Sequence, residues 1–161
     1  MPVTLRQAVP WWLVAAAVTA FDQLTKVIAD AQLSLHQAVP VVPFFNLTLM
    51  YNEGAAFSFL ADQQGWQRWF FIILSSVVSI ALAVWLTRLK RQEKWLAVGL
   101  SLVLGGAIGN LIDRVVYGHV VDFIQVYYQQ WYWPTFNVAD SAISVGAAVL
   151  ITTSLFSRQG D

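Results

Sequence analysis

The sequence predicts an all-α membrane protein, a bundle of four transmembrane helices carrying a small β-sheet cradle and a short amphipathic helix on one face. Three observations lead there. Of 161 residues, 58% are hydrophobic and 11% charged; a soluble domain carries about 25% charge, because its surface must be wetted. Four apolar stretches approach the ~20 residues that a helix needs to cross ~30 Å of hydrocarbon. Basic residues and tryptophans then gather at the ends of those stretches in the distribution a bilayer imposes.

The spans fall at approximately 9–28, 68–87, 95–116 and 137–157, within one domain over 1–161. Trp69 to Thr87 and Trp95 to Ile112 contain no charge. Ser141 to Ser157 is also uncharged and becomes long enough when it begins near Asn137. Val9 to Ile28 is interrupted by Asp22 and Lys26, so hydropathy supports it least. No small-residue cleavage site accompanies Met1 to Pro10, and the first segment is therefore expected to be retained as a span.

Charge parity supplies the missing support. Arg88, Lys90, Arg91 and Lys94 cluster between the second and third spans, Arg6 precedes the first and Arg158 follows the last. With four spans all of them lie on one side, the cytoplasm by the positive-inside rule, and both termini lie there too. The outer connections, about 30–67 and 117–136, hold no Lys or Arg up to Gln67 and Phe136. Trp11, Trp12, Trp85 and Trp95 fall at the inner ends, and Trp66, Trp69, Trp131 and Trp133 at the outer ends. Indoles favour that level because the ring is apolar and its N–H needs a partner.

Both outer connections have structure of their own. After Pro40 and Pro43, Leu47, Leu49 and Tyr51 alternate with Thr48, Met50 and Asn52, a strand-like period, and Asn52-Glu53-Gly54 reads as a turn. Ala56 to Gln64 suits a short amphipathic helix with Phe59, Leu60 and Gln63 on one side. Val120 to Tyr128 alternates again, and eight aromatics lie between Tyr117 and Phe136. Such apolar loops belong at the membrane interface, where together they make a small sheet and shape a groove.

Several function classes drop out. There is no cysteine, which removes disulfides, thiolate zinc sites and cysteine nucleophiles, and a net charge of zero gives no reason to expect nucleic acid. His36 and His119 lack metal-ligand spacing to each other or to the acids. Ser75, Ser76 and Ser79 lie on a membrane helix with no candidate base beside them.

Charges in a bilayer cost at least ~2.5–3.5 kcal/mol at its centre, so each is a candidate for function. Asp22, Lys26, Asn110, Asp113, Arg114, Asp122, Asn137 and Asp140 all fall toward the side opposite the basic loops. Asp22 and Lys26 are four apart on one helical face, where an ion pair is the simplest role. Asn110 and Arg114 share a face with Gly106 and Gly99, small residues that let helices approach closely. Arg114 reads as a scaffold that aims other polar groups or holds a substrate phosphate or carbonyl, with Asp113 neutralising it. Asp140 has the ordinary role of a first-turn acid, Asn137 being the N-cap three residues earlier. Asp122 reads either as a solvated loop acid or, among Val120, Val121, Phe123 and Ile124, as a carboxyl that needs company. Pairing it with Asp140 removes that cost, because two carboxyls can share one proton.

Taken in order, five blocks carry a family resemblance. They are Asp22-Gln23-Leu24-Thr25-Lys26, Asn52-Glu53-Gly54-Ala55-Ala56-Phe57, Gly105 through Arg114 (Gly-Gly-Ala-Ile-Gly-Asn-Leu-Ile-Asp-Arg), Val121-Asp122-Phe123, and Phe136-Asn137-Val138-Ala139-Asp140-Ser141. In this order and at these depths the chain resembles the lipoprotein signal peptidase family, also called signal peptidase II, over nearly its whole length. The resemblance implies a bacterial inner-membrane aspartic protease. It would remove signal peptides from diacylglyceryl-modified prolipoproteins, cutting just before the lipidated cysteine at the extracytoplasmic leaflet. It implies Asp122 and Asp140 as the catalytic pair, with Asp22, Lys26, Asn52, Gly54, Asn110, Arg114, Asn137 and Ala139 in supporting roles. The expected partners are diacylated prolipoprotein and membrane lipid; no cofactor, metal or nucleic acid is expected, and a monomer is. In such a pair one acid stays protonated and the other activates water. The positive end of the last helix favours ionised Asp140, leaving Asp122 as the acid.

A transporter is the main rival, since intramembrane charges also mark ion paths. Such a path needs polar groups through both leaflets, and the inner half of these spans is almost purely apolar.

Overall fold

Each predicted span is a helix long and apolar enough to cross a membrane. In the computed structural model, which describes residues 5–54 and 66–157, the elements in chain order are α1 (Leu5–Gln32), β1 (Ala38–Val42), β2 (Phe45–Asn52), α2 (Trp66–Leu86), α3 (Lys94–Val116), β3 (Val120–Tyr128), β4 (Trp131–Tyr132) and α4 (Val138–Ser157). The amphipathic helix expected within 56–64, the Ala55 to Phe57 part of the second block and Arg158 lie outside the described residues.

The bundle is turned inside out relative to a soluble one. Trp69, Ile73, Val77 and Ile80 form an outward stripe on α2 and are each more than half exposed. In water this stripe would be costly, whereas against acyl chains it is neutral. The buried set meanwhile includes Asp22, Lys26, Asn110, Asp113, Arg114, Asp122 and Asn137. An apolar cluster of Ala8, Ala15, Leu86, Leu89, Ala97, Leu100 and Leu104 fills the end near the basic loop.

Helix α3 is the axis, with α1, α2 and α4 all packed on it. Glycine permits this closeness. A Cβ at Gly105 would lie 2.6 Å from the Ala15 carbonyl oxygen of α1, and one at Gly106 would collide with the Ala139 carbonyl oxygen of α4. Without a hydrophobic force between helices in lipid, such backbone proximity supplies much of the packing energy.

The strands form one antiparallel sheet in the order β1-β2-β3-β4. The strand-like period expected at 47–52 is β2, but its burial does not follow a simple alternation. Asn46, Thr48 and Leu49 are buried while Tyr51 is exposed, because an irregularity between Leu47 and Met50 shifts the register. Of this buried polar pair, Thr48 Oγ1 and Asn46 Nδ2 donate to Gln125 Oε1 of β3 at 3.0 and 3.3 Å, while Asn46 Oδ1 has no partner among the described residues. Beyond β4 the chain returns to β3. Phe136 N–H donates to Ile124 O at 3.0 Å and Ile124 N–H to Phe136 O at 2.8 Å. This bridge puts Asp122, two residues before Ile124, next to Asn137.

Candidate active site

The start of α4 is the foundation of the site. A helix begins with unpaired N–H groups, and here three side chains take them. Asn137 Oδ1 accepts from Asp140 N at 2.9 Å, and Asp140 Oδ2 accepts from Asn137 N at 3.3 Å. This reciprocal pair is a capping box with Asp in the third position. Asp22 reaches across from α1 to accept from Ala139 N at 2.8 Å.

Asn137 faces both candidate acids. Its Nδ2 donates to Asp122 Oδ1 at 2.7 Å, while its Oδ1 caps Asp140. Asn52, at the end of β2, donates to Asp122 Oδ2 at 3.1 Å. Asn110 of α3 donates to Asp140 Oδ1 at 2.8 Å. Its amide cannot turn the other way, because Asn110 Oδ1 accepts from Lys26 Nζ at 2.9 Å and from Asn137 Nδ2 at 3.2 Å. The two carboxylates and three asparagines thus make one network with few free rotamers.

Lys26 anchors this network from behind. It pairs with Asp22 and Asp113, each at 2.8 Å, so the ion pair expected from the four-residue spacing is present and gains a third member. Asp113 therefore makes its ion pair with Lys26 and not with Arg114. Adjacent residues on a helix diverge by about 100°, which sends Asp113 toward α1 and Arg114 the other way. Asp113 also accepts from Gln23 Nε2 at 2.7 Å and Val121 N at 3.1 Å, tying β3 to the bundle. Among the described residues, the Arg114 guanidinium meets carbonyl oxygens, Gly54 O at 3.0 Å and Asn110 O at 3.3 Å, and sits 5.1 Å from the Phe71 ring centre. Its buried Nε has no partner among them.

A cavity of about 510 Å³ opens over this cluster, lined by Asn52, Asn110, Arg114, Phe136, Asp140 and Ser141 among others. Asp140 faces it. Asp122 is set deeper, 2% exposed, and its carboxyl is pushed up to about 7 by burial first and by the charge of Asp140 second. Asn52, Asn137 and Lys26 oppose that rise without cancelling it. Beyond the cluster the lining is mainly apolar, with Ile143 and Val145 on α4 and Trp133 and Pro134 beside Thr135 and Ser144.

All ten residues singled out from sequence converge on this region. His36 and His119 stand apart. The His119 ring lies 4.2 Å from that of Tyr51, and His36 Nδ1 lies 3.1 Å from Met50 Sδ. Among the described residues, no group of three or more His, Asp or Glu is placed to hold a metal ion. Arg68 was missed. It stands in the first turn of α2 (Trp66–Leu86), at the end away from the Arg88 to Lys94 cluster, and that exception to the charge pattern was the available signal. Its Nε and Nη2 donate to the last-turn carbonyls of Arg114 and Val115, each at 2.9 Å. Gln23, which also donates to Gly109 O at 3.1 Å, was visible only as part of the first block.

Comparison with known proteins agrees with this geometry. The profile of the Signal peptidase (SPase) II family matches residues 14–156. A lipoprotein signal peptidase of Pseudomonas aeruginosa (strain UCBPP-PA14) is 58% identical over 143 residues, covering 88% of this chain and 85% of that protein. One from Teredinibacter turnerae is 53% identical over 149 residues, covering 92% and 89%. A solved structure described as a bacterial membrane enzyme, determined in meso at 2.3 Å, superposes with a TM-score of 0.83 at 32% identity, covering 98% of this chain and 92% of its own. The chain belongs to the signal peptidase II family and is a membrane peptidase.

Proposed function

We propose that this chain, acting as a single membrane-embedded unit, is an aspartic endopeptidase that cleaves prolipoproteins just before their diacylglyceryl-modified cysteine, with Asp122 and Asp140 as its catalytic pair. One observation supports the assignment: a single side chain, Asn137, donates to Asp122 Oδ1 and accepts from Asp140 N, joining the acid that lines the cavity to the one buried behind it. Asp140 is the base, lining the cavity and accepting hydrogen bonds from Asn110 Nδ2 and Asn137 N. Asp122, raised to about 7, keeps the proton.

The chemistry follows. Asp140 takes a proton from water as the water oxygen attacks the scissile carbonyl carbon. The Asp122 O–H donates to the carbonyl oxygen as negative charge develops there. When the tetrahedral centre collapses, the C–N bond breaks and the proton held on Asp140 passes to the leaving amine. The Arg114 guanidinium, which lines the cavity, donates to a backbone carbonyl or phosphate oxygen of the substrate. Asp22 and Ala139 set the first turn of α4, Lys26 and Asn110 orient Asp140, and Asn52 with Gly54 fixes the approach to Asp122 and Arg114.

The site belongs at the extracytoplasmic leaflet of the bacterial inner membrane, with the Arg88 to Lys94 connection in the cytoplasm. A diacylated cysteine keeps its acyl chains at that depth, and the apolar reach of the cavity past Ile143 and Val145 suits the signal helix. The protein works as a monomer. The test is cleavage by the purified protein of a prolipoprotein peptide with and without diacylglycerol, with mass spectrometry of the products. A new N-terminus at the lipidated cysteine, absent from the unmodified peptide, is expected. Equal cutting of both peptides would contradict the proposal.

A further inference from the structure

Arg114 is held at both ends of the connection that joins β2 to α2. Its side chain donates to Gly54 O at 3.0 Å, just before that connection begins. Its backbone carbonyl accepts from Arg68 Nε at 2.9 Å, just after the connection ends. The same guanidinium of Arg68 takes Val115 O at 2.9 Å through Nη2. One planar fork thus closes two of the last-turn carbonyls that α3 leaves open, at the negative end of its dipole.

The turn beyond α3 is built around this fork. Gly118 has φ +85°, a left-handed conformation, and a Cβ there would lie 3.5 Å from Arg68 Nη1. Helix α2 makes a second contact to Arg114 through the Phe71 ring, 5.1 Å from its guanidinium carbon. Arg68 and Phe71, about one helical turn apart, therefore grip the backbone and the side chain of the same residue.

We propose that Arg68 is a positioning residue for substrate binding, acting by fixing the last turn of α3 so that Arg114 points into the cavity. This rests on the reading of Arg114 as the donor to a substrate oxygen. Arg68 touches no reacting atom, so its loss weakens binding more than turnover.

The experiment is a double-mutant cycle in detergent micelles with a diacylglyceryl-modified prolipoprotein peptide, comparing Arg68→Gln, Arg114→Gln and the double variant. Arg68→Gln is expected to raise KM about tenfold, the worth of one charge-assisted hydrogen bond, with kcat reduced less than about threefold. In the Arg114→Gln background the same change is expected to have almost no effect on KM. Independent, multiplicative effects would overturn the proposal while leaving the role of Arg114 intact. If Arg114→Gln alone leaves KM unchanged, the role of Arg114 fails and the positioning role with it. Gel filtration and thermal unfolding report folding of each variant. Should Arg68→Gln fail to fold, Arg68→Lys, which keeps the charge but loses the fork, carries the same cycle with a smaller rise in KM.

Discussion

Replacing Asn137 by Asp exchanges one atom, Nδ2, for oxygen at the point where the network is tightest. That nitrogen donates to Asp122 Oδ1 at 2.7 Å, Asn110 Oδ1 at 3.2 Å and Val121 O at 3.3 Å, so every neighbour it faces is an acceptor. The other side-chain oxygen still accepts from Asp140 N, and an N-cap Asp is as good as Asn. Helix α4 is therefore kept, and what disappears is the bond to Asp122 plus the tolerance of its charge. A buried acceptor left without its donor costs about 1–3 kcal/mol, or roughly 5- to 150-fold in rate. At neutral pH we expect cleavage of diacylated prolipoprotein peptide to fall by about two orders of magnitude within that range. The thermal midpoint should fall as well, because a buried carboxylate oxygen then faces three acceptors, so the rate is compared on protein shown to be folded. Acidification should restore part of the rate, because a protonated carboxyl at this position again has an O–H to donate. Asn137→Asp cleaving at a near-normal rate at neutral pH would refute the bridging role of this side chain.

Further outcomes follow from the same network. Asp122 sits near 7, raised from its ordinary 3.8, so if its protonated form is the acid, kcat/KM should decline as pH rises through about 7. Asn52 bonds the carboxylate and holds that value down, so Asn52→Ala should move the alkaline limb to higher pH, as a pH–rate profile would show. The same shift affects folding: an acid with a raised folded pKa contributes stability below its unfolded value that is lost as pH climbs toward 7. Lys26→Met leaves Asp22 and Asp113 facing each other, both almost fully buried, without their cation. Breaking a buried pair this way costs about 3–5 kcal/mol, so detergent-solubilised protein should lose most of its thermal stability or fail to accumulate.

Much of the architecture was legible because lipid writes a strong pattern. Nineteen uncharged residues from Trp69 to Thr87 admit one reading, and basic residues on one side settle the parity. Local rules reached into the site as well. The four-residue spacing predicted the Asp22–Lys26 pair, and a first-turn acid three residues after Asn predicted the cap at α4. Contacts between distant segments were harder. That Asp113 joins Lys26 instead of Arg114 depends on the rotation of α3 against α1, which no local period encodes. The return of Phe136 onto Ile124 is what carries Asp122 to Asn137, and the aromatic loop gives no hint of its register. Arg68 showed in the sequence only as a basic residue away from the basic loops, and its role was hidden because its partners are backbone carbonyls, which every sequence has.

The most direct measurement is single-turnover cleavage of diacylglyceryl-modified prolipoprotein peptide by purified Asp122→Asn and Asp140→Asn proteins, each shown by gel filtration to be folded. Each substitution keeps the shape of the side chain and removes its ability to exchange a proton. Both variants are predicted to bind the peptide and leave it uncut, down by at least about three orders of magnitude. Near-normal cleavage by either one would remove that aspartate from the catalytic pair.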